Sequence, residues 1–327
     1  MYWIHEFLSV IDSGKRSVCK QSTCNSTSNY THSWANMNEY FFKEREGFMK
    51  EDVLQQFIYS HPDIRAVGIE GSIATGRQDL YSDLDVTLFT THLPNYLEQS
   101  SWLDSFGPRI IMQTPEPIQL ENDFVLYPFL MLFEDGSRID LKMASVYAFE
   151  AYLNWESTVQ IVMDLDHRLQ VQPIPNEQSF IIQKPSEQDF FECTNEFFWV
   201  ATYVAKGILR HQFMYAAKHL EIIREELLRM IAWSISELHL ERVNLGNAYK
   251  YLHEYMDEQD FEELRTTYAI GSSTAQKDAL QTMITLFERY AKPLAESYNY
   301  NYSEECEATK QYILNILEQR GIGMKSK

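Results

Sequence analysis

The most informative segment of the chain reads Gly71-Ser-Ile-Ala-Thr-Gly-Arg-Gln-Asp-Leu-Tyr-Ser-Asp83-Leu-Asp85-Val-Thr-Leu-Phe89. Alternate residues of a β-strand point to the same side, about 6.6 Å apart. We therefore expect Asp83 and Asp85 to face one way, while Leu84 and Val86 turn towards the core. Two neighbouring carboxylates raise each other's pKa unless a cation lies between them. Magnesium binds to one or two carboxylates together with substrate phosphates, so this pair predicts a magnesium site.

A third aspartate, Asp140, lies in a second predicted strand, within Arg138-Ile-Asp-Leu-Lys142. Its neighbours Ile139 and Leu141 would point to the opposite side. If this strand lies beside the first, Asp140 joins the acidic cluster. It would then be either a ligand in a two-metal site or the general base that takes a proton from an attacking hydroxyl. The sequence leaves both roles open.

The segment that precedes the paired aspartates has the composition of a phosphate-binding loop. Gly71 lets the backbone approach a ligand closely, and Ser72 offers a hydroxyl donor. Arg77 suits the phosphate tail of a nucleotide, since a guanidinium binds oxygens in pairs; the alternative is an ordinary exposed loop arginine. An Asp-x-Asp triplet alone mostly marks a solvated strand edge, so the preceding Gly-Ser loop is what favours a functional site.

Charge and composition exclude several classes of protein. The 327 residues include 47 acidic and 28 basic side chains, a formal net charge of −19. Such a chain repels nucleic acids and attracts cations, although the acidity is equally explained by solubility. No apolar run reaches the roughly 18 residues of a membrane span, and the N-terminus does not resemble a secretion signal. We expect a cytoplasmic protein with free thiols, because its four cysteines form no CxxC pair: Cys19, Cys24, Cys193 and Cys306.

Periodicity predicts an α+β fold with three parts. Residues 1–40 read as a poorly structured extension rich in Ser, Thr and Asn. Residues 41–175 read as a mixed β-sheet domain flanked by helices, and residues 176–327 as a helical bundle. In the sheet domain we predict helices over 41–60 and 96–106, strands over 64–70, 84–89 and 110–112, a loop over 71–82, and a hairpin of 124–133 with 138–143.

In the second half, Ser186 with Asp189 three residues later predicts the start of a long helix. Phe190, Phe197 and Ala201 fall on one of its faces and are expected to be buried. Further helices are predicted over residues 260–268, 275–298 and 303–319.

Taken together, these motifs resemble the nucleotidyltransferase superfamily, and within it the streptomycin (aminoglycoside 6-) adenylyltransferase family. The resemblance runs from about residue 45 to about residue 320 and leaves out the first 40 residues. Beyond the Gly-Ser and Asp-x-Asp motifs, it rests on segments 111–116, 130–141, 195–207 and 226–231.

The resemblance implies transfer of AMP from ATP to a hydroxyl of streptomycin, with release of pyrophosphate. It assigns Asp83 and Asp85 to a metal pair, Asp140 to the third carboxylate, and Gly71 and Ser72 to the nucleotide loop. Mg²⁺ is the implied cofactor, and an aminoglycoside and ATP are the implied small-molecule partners. The acidic charge agrees with a polycationic substrate. The alternatives are transfer to the hydroxyl of another acceptor (a lincosamide, another aminoglycoside or a protein) and a nucleotide-binding module without activity. We expect a monomer.

The helical half supplies candidate substrate-binding residues. Glu196, Trp199 and Tyr203 recur at spacings of three or four and share one helical face. We expect Glu196 to bind an amino or guanidino group, and the two aromatic rings to stack on sugar rings; the alternative is that both rings belong to the core. Asn195 is added to this set, although it could equally bind the nucleotide or cap a local bend.

Two lysines of the helical half are candidates for the nucleotide. Lys206 continues the spacing of the aromatic face, and Lys218 lies in the next predicted helix. Either ammonium group could neutralise the triphosphate together with Arg77.

Overall fold

The computed structural model describes residues 49–176, 180–240 and 242–318. The chain forms two compact units, divided between Pro175 and Asn176. The first carries a mixed β-sheet and the second consists mainly of helices, which confirms the predicted α+β class. The predicted extension over residues 1–40 lies outside the described part of the chain, as do residues 41–48 of the first predicted helix.

The first unit is built from seven strands and four α-helices in its described residues. In chain order they are α1 Met49–Ser60, β1 Ile64–Ile69, α2 Gly71–Ala74, β2 Leu84–Thr90, α3 Leu93–Glu98, β3 Arg109–Gln113, β4 Ile118–Gln119, β5 Val125–Phe133, β6 Arg138–Ser145, α4 Phe149–Trp155 and β7 Gln160–Asp164.

The seven strands form one sheet in the order β3-β5-β6-β2-β1-β7, with β4 also paired to β5. The pair β2–β6 is parallel and the other pairs are antiparallel. In the parallel pair, Asp85 lies opposite Asp140 and Leu84 lies opposite Ile139. The strand that carries the third aspartate is therefore the direct neighbour of the strand that carries the pair.

Side-chain alternation along β2 and β6 is as predicted. Leu84, Val86, Ile139 and Leu141 are at most 1% exposed and belong to one hydrophobic cluster. The opposite face begins with Asp85 and continues into a second apolar cluster. The face of the sheet that carries Asp85 is thus acidic at one end, and apolar side chains cover the rest of it.

Two predictions about this unit are wrong. Residues 71–82 are not entirely loop, because Gly71–Ala74 forms the short helix α2. The predicted helix over 96–106 is two elements, α3 and a 3-10 helix over Ser101–Phe106, separated where Gln99 adopts an extended conformation. The Trp102 indole donates to the Tyr96 carbonyl at 3.0 Å, which satisfies a carbonyl group at this break.

Strand β7 was not predicted from the sequence. Its apolar run Ile161-Val-Met163 is buried against β1 at the edge of the sheet. The hairpin of β5 and β6 is confirmed, with Gly136 at φ +83° in its turn and the Asp135 carboxylate accepting from the Ser137 amide.

The second unit contains five α-helices in its described residues: α5 Glu187–Leu209, α6 Phe213–Leu238, α7 Glu258–Thr266, α8 Ser273–Tyr298 and α9 Glu304–Glu318. The predicted start of α5 is confirmed, because Ser186 and Asp189 form a capping box. Asp257 caps α7 and makes it begin two residues before the predicted start.

Apolar faces of these helices form one core. The predicted buried residues Phe190, Phe197 and Ala201 are at most 1% exposed. Phe197 of α5 stacks on Phe287 of α8 with ring centroids 3.9 Å apart. No helix in the described ranges is long and apolar enough to cross a membrane.

Candidate active site

The three aspartates meet at one end of the paired strands β2 and β6. Asp85 and Asp140 are direct partners in the parallel register, so both side chains stand on the same face of the sheet. Asp83 precedes β2 by one residue and is likewise only partly buried. The prediction that Asp140 lies on a strand is confirmed, and that strand lies beside the strand of Asp85, which is the condition under which Asp140 joins the acidic cluster.

An arginine that sequence analysis left without a role, Arg138, bridges two of these carboxylates. Its Nε and Nη2 each donate to one oxygen of Asp140 at 2.8 Å. Its Nη1 lies 3.2 Å from Oδ2 of Asp83. The signal was present in the sequence, because Arg138 is two residues before Asp140 on a strand and therefore points to the same side.

Asp85 has a different environment from the other two aspartates. No described residue hydrogen-bonds or ion-pairs with its carboxylate. Burial raises the pKa of Asp85 to about 7; Lys142 opposes this rise, whereas Glu70, Asp140 and Asp83 add to it. The charged form of Asp85 is therefore disfavoured until a cation compensates it.

A buried ionic network lies behind Asp85. Glu70, 3% exposed at the end of β1, accepts hydrogen bonds from the Thr87 hydroxyl, from the Tyr152 hydroxyl at 2.6 Å and from the Lys142 ammonium group. Burial lowers the pKa of Lys142, but its ion pair with Glu70 outweighs burial and the pKa is raised overall. Sequence analysis missed this network because its members lie on different strands and a helix.

Gly71 occupies a position that favours glycine. Its φ is +63°, and a Cβ added there would lie 2.8 Å from Oδ2 of Asp85. Its amide donates to the Thr158 hydroxyl at 3.1 Å. The neighbouring Ser72 hydroxyl makes no hydrogen bond to a described residue, and Arg77 is exposed. The loop therefore brings backbone and a free hydroxyl up to the acidic cluster.

The donor set fits a magnesium ion. Asp83 and Asp85 offer carboxylate oxygens on one side of β2, and Lys142 offsets the raised pKa of Asp85 only in part. Two carboxylates are sufficient for magnesium when substrate phosphates complete its shell. Within the described ranges, no group of three or more His, Cys, Asp or Glu side chains is arranged so that it could hold a metal ion. The predicted three-carboxylate metal set therefore remains a prediction.

In the helical unit, most of the candidate residues line one groove of about 600 Å³ between α5 and α9. The Trp199 indole donates to the Tyr203 hydroxyl at 2.7 Å, which fixes the two rings edge to face. Glu196 is exposed and does not line the groove; Lys218 is exposed on α6, 3.8 Å from Glu221. The candidates in the groove are Asn195, Trp199, Tyr203 and Lys206, joined from α9 by Glu305 and Tyr312.

A Gly-Ser turn in front of an Asp-x-Asp strand, with a third aspartate on the adjacent parallel strand, is the arrangement of a nucleotidyltransferase. The family model for streptomycin adenylyltransferase matches residues 45–316. The chain belongs to the streptomycin adenylyltransferase family, and the resemblance stated from the sequence is confirmed.

Curated relatives agree with this assignment. The chain is 34% identical over 275 residues to an aminoglycoside 6-adenylyltransferase of Bacillus subtilis, covering 81% of this chain and 95% of the relative. It is 32% identical over 278 residues to one from Campylobacter jejuni, covering 83% and 96%. A crystal structure of an aminoglycoside 6-adenyltransferase from Bacillus subtilis shares 30% identity, with a TM-score of 0.43, over 84% of this chain and 99% of that one. The chain is thus an enzyme of the adenylyltransferase class.

Proposed function

We propose that this enzyme transfers AMP from ATP to a hydroxyl group of an aminoglycoside, with streptomycin as the acceptor, and so confers resistance to the drug. The observation that carries the proposal is the parallel register that places Asp140 directly opposite Asp85. The relatives named aminoglycoside 6-adenylyltransferases support the class of acceptor. The net charge of −19 suits a polycationic substrate.

Asp83 and Asp85 would hold Mg²⁺ in this proposal. The ion would supply charge neutralisation at the phosphates, and it would relieve the cost of ionising Asp85, whose pKa is raised to about 7. Gly71 and Ser72 would contact phosphate oxygens, because the glycine leaves space and the serine hydroxyl is a free donor. The exposed side chain of Arg77 would reach the phosphate tail.

The chemical step requires one proton acceptor. The acceptor oxygen forms a bond to the α-phosphorus, and the bond between that phosphorus and the oxygen bridging to the β-phosphorus breaks. We assign the proton of the acceptor hydroxyl to Asp140, and pyrophosphate leaves with the electron pair of the broken bond. Positioning and electrostatics dominate catalysis of this type, and the paired strands β2 and β6 hold Asp85 and Asp140 opposite each other.

The helical unit would bind the drug. Trp199 and Tyr203 offer a fixed aromatic surface for sugar rings, and Asn195 offers hydrogen bonds from the same groove. Glu196 would bind an amino or guanidino group from outside the groove. Lys206 and Lys218 remain the candidates for the triphosphate. A monomer in the cytoplasm stays our prediction, and gel filtration with light scattering tests the oligomeric state.

Mass spectrometry of drug after incubation with ATP and Mg²⁺ tests the proposal. Streptomycin and a panel of other aminoglycosides are offered to the wild-type protein and to Asp83→Asn. We expect streptomycin to gain one AMP with the wild-type protein and none with the variant. If only another aminoglycoside gains AMP, that drug and not streptomycin is the acceptor. If Asp83→Asn transfers AMP as well as wild type does, the metal pair is rejected.

A further inference from the structure

Arg138 is the cation that neutralises the carboxylate cluster. It covers both oxygens of Asp140 with two hydrogen bonds of 2.8 Å, and it contacts Asp83 at 3.2 Å. Its side chain is nevertheless 43% exposed. The guanidinium group can therefore leave the cluster by rotation into solvent, without disturbing the packing of the sheet.

In the proposed metal site, a divalent cation and this guanidinium group would compete for the carboxylate of Asp83. A metal held by Oδ2 of Asp83 would take the oxygen that Arg138 now contacts at 3.2 Å. The two cations would also stand within a few ångströms of each other, where like charges repel by several kcal/mol at the effective dielectric of a protein surface. We therefore expect Arg138 to give up Asp83 when a metal binds, and its ion pairs to oppose metal binding for as long as they persist.

A second cationic side chain near the cluster, Lys142, is a poor candidate for the same role. Its side chain is only 13% exposed and it is anchored by the buried Glu70. Removing Lys142 from that pair would leave a buried carboxylate uncompensated, which costs several kcal/mol. Of the two cations, Arg138 is the one that can leave its partners at low cost.

We propose that Arg138 is an exchangeable counter-ion: it holds Asp83 and Asp140 before the substrates arrive, leaves them when the divalent cation binds, and then binds the nucleotide triphosphate. This inference rests on the proposed metal pair of Asp83 and Asp85. A guanidinium group that has lost two carboxylates needs another anion, and its planar fork matches phosphate oxygens. Its departure also frees the oxygens of Asp140 to accept a proton.

One consequence is that metal and nucleotide bind cooperatively. The divalent cation alone must displace Arg138 into water, whereas cation and nucleotide together offer Arg138 a new partner. By linkage, the nucleotide then strengthens metal binding by the same factor as the metal strengthens nucleotide binding. Arg138 would make the site bind metal weakly until ATP is present.

Calorimetric titration of the full chain with Mn²⁺, with and without a non-hydrolysable ATP analogue, tests this exchange. We expect Arg138→Gln to bind Mn²⁺ alone about tenfold more tightly than wild type, since a charge-assisted ion pair no longer competes. With Mn²⁺ present, it should bind the analogue about tenfold more weakly. Arg65→Gln is the matched control, because Arg65 donates to Asp166 at 2.9 Å elsewhere in the same unit and should change neither affinity.

Unchanged or weaker Mn²⁺ binding by Arg138→Gln would overturn the counter-ion role, and unchanged analogue binding would overturn the phosphate role. If wild-type protein binds no Mn²⁺ with or without the analogue, the proposed metal pair itself fails. Should Arg138→Gln not fold, Arg138→Lys replaces it: a single ammonium group cannot serve both aspartates, so its Mn²⁺ affinity should exceed that of wild type. Equality with wild type would reject the inference.

Thermal unfolding separates this role from a merely structural one. Without metal, Arg138→Gln should unfold below wild type, because the aspartates have lost their counter-ion. Saturating Mg²⁺ should remove most of that difference. A difference in Tm that Mg²⁺ leaves unchanged would show that Arg138 only supports the fold.

Discussion

The two units support their candidate residues in different ways. In the sheet unit, strand pairing fixes the neighbour of each aspartate, and the cluster stands on a buried ion pair of Glu70 with Lys142. In the helical unit, Trp199 and Tyr203 lie on the partly exposed side of α5 and are joined by one hydrogen bond, and Tyr203 also packs against the helical core. The first site depends on buried charges of its unit, whereas Trp199 in the second site is 60% exposed.

This difference separates two kinds of mutational effect. Changes around Asp85 should alter stability and turnover together, because charged groups there are buried and interdependent. A change at Trp199 in the groove should alter binding of the acceptor and leave folding almost unaffected, because this side chain is 60% exposed.

The largest effect is expected from Asp140→Asn. Loss of a general base lowers turnover about 100- to 10,000-fold, measured as release of pyrophosphate with streptomycin and ATP. In the presence of the ATP analogue, the Mn²⁺ affinity of this variant should stay within about twofold of wild type, whereas Asp83→Asn should lose it. A parallel loss of Mn²⁺ binding by Asp140→Asn would make Asp140 a metal ligand instead of the base.

Next in size is the cost of breaking the buried ion pair. Glu70→Ala leaves Lys142 buried without its partner, and we expect the free energy of unfolding to fall by about 3–5 kcal/mol. Urea unfolding at pH 7 measures this change. The double variant Glu70→Leu with Lys142→Met removes both charges and should be less destabilised than Glu70→Ala. If the double variant is less stable than Glu70→Ala, the unpaired charge of Lys142 is not the cause of the lost stability.

Because its pKa is raised, Asp85 should make the free energy of unfolding depend on pH with a sign opposite to that of an ordinary salt-bridged aspartate. Its folded pKa is raised to about 7 from 3.8, so the folded state resists ionisation that the unfolded chain permits. The contribution of Asp85 to the free energy of unfolding should fall as pH rises from about 4 to 7, by on the order of 2–4 kcal/mol. In metal-free buffer, Asp85→Asn should become more stable than wild type over this range.

A suitable contrast for Asp85 is Asp135. The hydrogen bond from Ser137 lowers the pKa of Asp135, so its contribution to stability is present above the unfolded pKa and disappears as pH falls through the folded pKa. Asp135→Asn should therefore lose stability relative to wild type at neutral pH. A stability difference between wild type and Asp85→Asn that is independent of pH between 4 and 7 would contradict the assignment of a raised pKa.

Gly71→Ala should have a smaller effect on stability. The substitution combines a left-handed backbone with a Cβ placed 2.8 Å from Oδ2 of Asp85, and we expect a cost of about 1–3 kcal/mol in thermal unfolding. Gly76→Ala is the matched control, since Gly76 has φ +73° but nothing within 4 Å of an added Cβ. Activity should fall only in Gly71→Ala. Equal losses of activity in both variants would show that the contact with Asp85 is not the cause.

The features that could be predicted from the sequence are those that depend on residues close together in the chain. The period of two along β2 predicted which way Asp83 and Asp85 point, and a capping box predicted the start of α5. Both are local patterns. The contact of Glu70 with Lys142 joins residues 72 positions apart and depends on which strands become neighbours, which no local pattern specifies.

Residues in the helical unit show the same limit in another form. The spacing of three and four predicted that Trp199, Tyr203 and Lys206 share a face of α5, and they do line one groove. The spacing could not indicate that α9 forms the opposite wall, nor that Glu196 lies outside the groove. Helical period fixes a direction around an axis, whereas the partner in that direction is decided by packing of the whole unit.

The smallest effect is expected in the helical groove, from Trp199→Ala. Loss of a stacking ring should raise KM for the aminoglycoside about tenfold, while kcat and Tm change little, because Trp199 is 60% exposed. Leu238→Ala, an exposed apolar residue of α6 outside the groove, is the control and should leave KM unchanged. A large fall in Tm for Trp199→Ala would show that the ring supports the fold, and the contrast between the two units would then be weaker than the structure indicates.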